Sequence, residues 1–561
     1  MTKHISKGFA LLRVGLIALT AVVVATGFSL FTDTNNVLAV GALKLSQIFA
    51  SDDPSFIVPE KLNAELQRIL ETRLNSVDLG SLSSQIPGGD GYEDIKGEDI
   101  HRYLEELTQF SQLSKSDGNV LWGRIQGSKY EYQATQHVEN YFREWGLDNI
   151  TVERFPVFRP VWSPTAIELT IKGDDEQKDV RLMTAMTAWP SGATSEEGLT
   201  APIEYVGLGS PADLRGKDLK GKIALLYVHT FEGVLMHGGY GPAIRLAKEY
   251  GAAGVILWYD APGNDTYAGV MYDSVGIMKE TPWTNIGYTD GVYLRKRIEH
   301  APLDNPPMVN LKIVGSMRED LTSQNLMAEL PGNSDQTIMI TAHIDGFFNA
   351  ALDNGTGVAA LMALAKHYST IPQEQRAYNL FFLVTGDHEA TGAGGMLSFI
   401  RSHQEFLQNV ELTIQLEHLA SPGVSKELNI ITRTNSEAPR MLMITNQSPW
   451  LIEAFLEAAN RYGIVMQQGS ISEYAGDIKG LTMAGIDIPA VGWIEIGHYY
   501  HNSSDSPELI SPHALQNMTH AYASIIDKIG LDGLAGIREG GQSSSSKFSS
   551  SKDGLFMQSL W

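Results

Sequence analysis

Residues 320–530 predict an α/β fold with a mostly parallel sheet sandwiched by helices. Three observations carry that prediction. Short apolar strands recur at 337–341, 378–385, 410–416 and 489–496. Helices are expected between them, at 356–369 and 450–462. Alternating strand and helix implies parallel strands with both faces covered. Polar residues also gather directly after several of these strands, and open α/β sheets place their sites at the carboxyl ends of strands.

The preceding chain divides into two further parts. Residues 43–78 carry Leu62, Leu66, Ile69, Leu70 and Leu74 at helical spacing among charges, which predicts an amphipathic helix. The run Pro87-Gly88-Gly89-Asp90-Gly91 then breaks the chain. Helices are expected near 99–113 and 133–146, and strands near 150–158 and 166–172. Up to residue 177 this region reads as the start of the domain that 320–530 completes. The segment 178–310 reads as a separate insert. It holds the strand Ile223–Tyr227, a helix near 242–250 ending at Gly251, and a strand over Gly254–Trp258, which suggests a small α/β or β-rich module. The tail, 538–561, is rich in serine and is expected to be disordered.

The N-terminus indicates an address. Lys3, Lys7 and Arg13 precede an uncharged, mostly apolar run from Val14 to Phe31, and Val37-Leu38-Ala39 offers small residues for cleavage. Residues 1–39 therefore read as a secretory signal peptide, diluted by Gly15, Thr20, Thr26, Gly27 and Ser29. An uncleaved anchor is the alternative, since the run can just span a bilayer. Either way the expected location is exported: periplasmic, extracellular, or anchored to the membrane and facing outward.

Composition narrows the chemistry. A chain of 561 residues with 43% hydrophobic and 19% charged residues can build large cores without staples. A formal net charge of −23 argues against nucleic acid as a partner. The absence of cysteine removes disulfides, thiolate zinc sites and cysteine nucleophiles, so any metal must be held by His, Asp and Glu.

Five short motifs supply such residues. In Thr341-Ala342-His343-Ile344-Asp345 an imidazole and a carboxylate stand at i and i+2, on one side of a strand end. Ten residues later, Asp353-Asn354-Gly355-Thr356-Gly357 places a carboxylate in a turn that feeds a helix, where it can bridge two cations. Gly386-Asp387-His388-Glu389 and Gln415-Leu416-Glu417-His418 each follow a strand, and Tyr499-Tyr500-His501-Asn502-Ser503-Ser504-Asp505 follows another. Taken singly, each could be a helix cap or a solvated loop. Five together, at the ends of successive strands, are hard to assign to caps and loops alone. No HExxH, G-x-S-x-G, Walker or GxGxxG signature competes with them.

On these motifs residues 320–530 resemble the co-catalytic zinc aminopeptidase and glutamate carboxypeptidase family. The prelude Gly123-Arg124-Ile125-Gln126-Gly127-Ser128 and the helix after it fit as well. The 178–310 segment resembles a protease-associated domain, through Leu219-Lys220-Gly221-Lys222-Ile223 and Tyr250-Gly251-Ala252-Ala253-Gly254-Val255. The resemblance implies two zinc ions bridged by Asp353, one completed by His343 and Glu417 and the other by Glu389 and His501, with Asp345 orienting His343. It implies a peptidase, an aminopeptidase or other exopeptidase acting on peptide substrates. A catalytically silent binding protein of the same fold, or a related amide chemistry at N-terminal glutamine, are the alternatives. One departure bears on mechanism. The family carries two adjacent glutamates, the first a general base, whereas here the pair is His388-Glu389, and the spacing to the next glycine is one residue longer. The base is therefore expected to be His388 or Asp387 or, in a shifted register, Glu389 itself.

Overall fold

In the computed structural model, residues 91–538 are described, apart from 174–177, 230–239, 261–262, 269–278, 303, 391, 428–429, 472–475 and 496. The expected signal or anchor, the helix over 62–74 and the serine-rich tail lie outside the described residues. Among the described residues no helix is long and apolar enough to cross a membrane.

The main sheet has eight strands. Its centre is parallel: Ala490–Ile494, Val410–Leu416, Thr337–His343 and Asn379–Thr385 lie side by side in that order. Side chains alternate across it, as strand geometry requires. Ile338, Ile340 and Ala342 enter one core with Leu380, Phe382 and Val384, while Met339, Phe381 and Leu383 enter the other. The first core is closed by the helices Gly97–Ser116, Lys129–Glu144, Thr356–Thr370, Pro449–Arg461 and Pro512–Asp532. The second is closed by Gly394–Ser402 and Ile478–Met483. Both faces are thus buried, which is why these strands read as continuous apolar runs. The expected α/β class is observed, with the boundaries of its strands and helices over 337–496 shifted by at most two residues.

A second sheet is built around the segment expected as an insert. Strand Asp148–Pro156 pairs antiparallel with Thr322–Leu330 in the main sheet. Everything between them forms a single excursion, 157–321. It builds a seven-stranded sheet, mixed in direction, in which Val161–Ile171 and Met308–Arg318 pair antiparallel. The strand expected at 166–172 therefore belongs to this second sheet and not to the start of the main domain. The insert was expected at 178–310; the strands of the second sheet lie between Val161 and Arg318, and the pairing of its two long strands leaves no local mark.

Beyond the end of the parallel block lies a buried ion pair. Arg440 is fully buried, with Nε 2.5 Å from Glu495 Oε1 and Nη2 2.5 Å from Glu437 Oε2. Glu495 also accepts the main-chain N–H groups of Ala420 (3.1 Å) and Ser421, so it holds the loop that follows Glu417. Burial lifts the Glu495 carboxyl to about 8 despite the opposing pull of Arg440. Removing one partner strands the other charge. Arg440→Ala is therefore expected to lower the free energy of unfolding by about 3–5 kcal/mol in denaturant titration, and Glu495→Gln in that background to recover part of the loss. An Arg440→Ala chain as stable as wild type would show that the pair does not hold this loop.

Candidate metal centre

The parallel strands bring the motifs to one edge. His343 is the last residue of its strand and is level with Thr385 of the neighbouring strand. Gly386–Glu389, Glu417–His418 and His498–His501 follow the carboxyl ends of the other three strands of the parallel block. His343, Asp353, Glu389, Glu417 and His501 meet there, all buried.

Asp353 stands between two groups. Its Oδ1 lies 3.2 Å from His343 Nε2, which is itself 3.3 Å from Glu417 Oε1. Its Oδ2 lies 3.0 Å from His501 Nε2, which is 2.9 Å from Glu389 Oε2. The turn that carries Asp353 is fastened from both sides. Asp505 accepts Leu352 N–H at 2.8 Å and Asp353 N–H at 3.4 Å. Asn354 donates to Leu416 O (2.9 Å) and accepts from His418 N–H (3.2 Å), tying the turn to the strand before Glu417. Gly357 is required by that closeness, since a Cβ there would fall 2.4 Å from both Asn354 Oδ1 and Leu416 O.

The electrostatics are those of a cation site. Burial opposes charge on His501, but Glu389 and Asp353 outweigh it and lift the imidazole to about 10. Burial likewise opposes charge on His343, and Glu417 and Asp353 push it well above the usual range. For Asp353 burial would raise the carboxyl, but His418, His343 and His501 hold it well below. Glu389 Oε1 is buried without a hydrogen-bond partner. Imidazole nitrogens and carboxylate oxygens facing inward, one of them unsatisfied, fit a zinc ion.

Asp345 and Asp387, expected to act beside the ligands, are held by main-chain contacts. Asp345 was expected to orient His343. It is the main-chain carbonyl of Asp345 that meets His343 Nδ1, at 3.1 Å, while its carboxylate Oδ1 is 3.8 Å away. Carboxylate Oδ2 accepts instead from the N–H groups of His388 (2.9 Å) and Glu389 (3.0 Å), and so fixes the turn that presents Glu389. Burial first, and Glu389 second, raise this carboxyl to about 6. Asp387, expected as one possible base, turns the other way. Its φ is +52°, in the left-handed region, and Oδ2 accepts the N–H of Phe158 at 2.6 Å. His388 remains beside the cluster. Its ring lies flat on that of His343, with centroids 3.9 Å apart, and a ring nitrogen comes within 4.8 Å of donor atoms of His343 and Glu417.

Three contributors had no role assigned from sequence. His418 Nε2 lies 3.0 Å from Asp353 Oδ1, and its Nδ1 is 2.7 Å from Glu495 O; its motif was visible, but only its neighbour was chosen. Asp477 is 3.2 Å from His388 Nδ1 and accepts from Thr341 Oγ1 (2.8 Å) and Thr385 Oγ1 (2.7 Å). The only signal for it was a pair of threonines buried at adjacent strand ends. Arg124 is fully buried and donates to Ile344 O, Asn349 O and Ala350 O at 2.7–2.9 Å, fastening the loop between His343 and Asp353. Burial lowers its guanidinium to about 10 against the pull of Asp505, Asp345, Asp353 and Glu389.

Residues 325–526 match the family model of peptidase family M28. The match places this segment of the chain, and not the whole of it, with that family. Together with the relatives below, it makes the protein a metallopeptidase, a hydrolase of peptide bonds. It is 27% identical over 423 residues to aminopeptidase YwaD of Bacillus subtilis, covering 72% of this chain and 80% of that one. In fold it is similar to BSAP, a zinc aminopeptidase from Bacillus subtilis, with TM-score 0.54, 23% identity, and coverage of 79% of this chain and 95% of that one. It is also similar to a peptidase M28 precursor from Shewanella amazonensis SB2B, with TM-score 0.57, 19% identity, and coverage of 77% and 96%.

Proposed function

We propose that this chain is a two-zinc aminopeptidase, with His343, Glu417 and Asp353 holding one ion and His501, Glu389 and Asp353 the other. The observation that carries the reading is the division of Asp353, whose two oxygens face separate His–Glu pairs at 3.2 Å and 3.0 Å. When bound, such a pair of metals supplies Lewis acidity toward a scissile carbonyl and a nucleophile at neutral pH. The protein's own groups do the rest. Asp345 fixes the 388–389 turn, Arg124 fixes the loop before Asp353, and His388, held by Asp477, offers an imidazole that can accept a proton beside His343 and Glu417. Similarity to aminopeptidase YwaD over most of the chain supports a peptide with a free N-terminus as substrate. The basic, then apolar, start of the sequence supports action outside the cytoplasm. The 157–321 excursion would be the protease-associated-like module expected from its sequence.

The test is metal content together with substrate choice. Dialysed protein is expected to hold about two zinc ions per chain and to cleave aminoacyl amides. It should spare the same amides once N-acetylated, and lose activity to a chelator. Full zinc content with no cleavage of either substrate would point to a silent member of the fold. Equal cleavage of both would exclude an aminopeptidase.

A further inference from the structure

The excursion that builds the second sheet also reaches the loop that carries His501. After the strand Gly254–Asp260, residues 263–268 run alongside the loop that carries His501. Ala268 N–H donates to the carbonyl of His501 itself at 2.8 Å, and Ser503 N–H donates to Thr266 O at 2.9 Å. These bonds flank an antiparallel bridge between Tyr267 and Asn502. Side chains reinforce it. Ser504 Oγ donates to Asp265 Oδ1 at 2.6 Å, Thr266 N–H donates to Ser503 Oγ at 3.0 Å, and the Tyr267 hydroxyl donates to His498 O. The strap is equally well fixed to its own sheet. Asn285 Nδ2 donates to Tyr267 O at 3.2 Å, the Tyr267 ring stacks on Tyr259 at 5.2 Å, and Asn264 exchanges hydrogen bonds with Asp290.

What it holds is an uncommon conformation. His501 has φ +53° although it is not glycine. Such a backbone state persists only where its surroundings over-determine it. The bond from Ala268 falls on this very residue, and the bridge falls on the next. Phe347, packed in the core of the second sheet, meets the His501 ring edge-on at 5.0 Å. The excursion therefore touches the main chain of His501, and Phe347, which lies outside the excursion but packs in its core, touches the ring.

We propose that Asp265–Ala268 is a positioning element of the metal centre, which sets the place of His501 and makes the second sheet a participant in holding the ion shared by His501, Glu389 and Asp353. This rests on the reading of His501 as a metal ligand. Partners that orient a ligand commonly change metal affinity about ten- to a hundredfold when removed.

The experiment equilibrates full-length protein with free zinc buffered over a graded range and counts ions bound per chain. His501→Ala marks the affected ion and is expected to lose it. Ala268→Pro removes the donated N–H, Ala268→Gly keeps it, and Tyr267→Phe deletes only the hydroxyl. Ala268→Pro and Tyr267→Phe are expected to weaken that same ion by about ten- to a hundredfold and leave the other ion unchanged, while Ala268→Gly binds both as wild type does. If Ala268→Pro fails to fold, Tyr267→Phe decides alone. Wild-type affinity for both ions in the strap variants, with one ion lost from His501→Ala, would overturn the strap and spare the ligand. Two ions retained by His501→Ala would overturn the ligand assignment instead, and the proposal with it.

Discussion

Asp353→Asn is expected to empty both metal positions at once and to abolish peptide hydrolysis. A carboxylate can serve two cations because each oxygen carries negative charge, and here each oxygen faces a different imidazole, at 3.2 Å and 3.0 Å. An asparagine keeps one neutral oxygen and turns a pair of N–H donors toward the other group, where a cation would repel them. The loss should exceed the about ten- to hundredfold that follows removal of a partner which merely orients a ligand. The turn itself should survive, because Asp505, Asn354 and Gly357 hold it through the main chain. Elemental analysis and thermal unfolding of the same sample separate the cases. A folded variant with one ion left would mean that Asp353 serves a single metal. A full complement would mean that the site lies elsewhere.

Much of this site was legible in the chain because of how parallel sheets work. His343, Glu389 and Glu417 each follow an apolar strand, and parallel strands deliver their carboxyl ends to one edge. Once the strands were placed, the meeting of these residues with Asp353 and His501 followed. The parts that were not legible depend on backbone turns or on distant pairing. Asp387 and His388 are neighbours in one loop, and only the left-handed φ of Asp387 decides that its carboxylate goes to Phe158 while the imidazole goes to the cluster. Asp477 belongs to no motif and becomes visible only when Thr341 and Thr385 lie on adjacent strands. The strap at 265–268 meets His501 across more than 230 residues of sequence, through main-chain groups that any residue supplies. The reach of the second sheet was missed for a related reason. Val161–Ile171 and Met308–Arg318 are ordinary half-buried strands, and nothing local says that they pair with each other.

The departure from the family's paired glutamates carries the other large effect. His388→Ala is expected to leave both metals bound and to cut turnover by about a hundredfold or more, the usual scale for losing a positioned base. The geometry favours this role over that of an extra ligand. The ring is clamped between His343, against which it lies flat at 3.9 Å, and Asp477, 3.2 Å from Nδ1. Asp477 is in turn locked by two threonine hydroxyls and holds its charge: burial would raise its carboxyl, but His388 keeps it below the ordinary value. A carboxylate on one nitrogen fixes the tautomer and leaves the other nitrogen to take a proton, which is how imidazole bases are oriented elsewhere. Asp477→Asn should therefore lower kcat in the same direction, by about ten- to a hundredfold, with metal content unchanged. Measuring zinc and kcat together on both variants distinguishes the readings. Zinc lost from His388→Ala makes the residue a ligand and moves the base elsewhere. Zinc and turnover both unchanged make Glu389 the base in a shifted register, and Glu389→Ala would then stop turnover while keeping its metals.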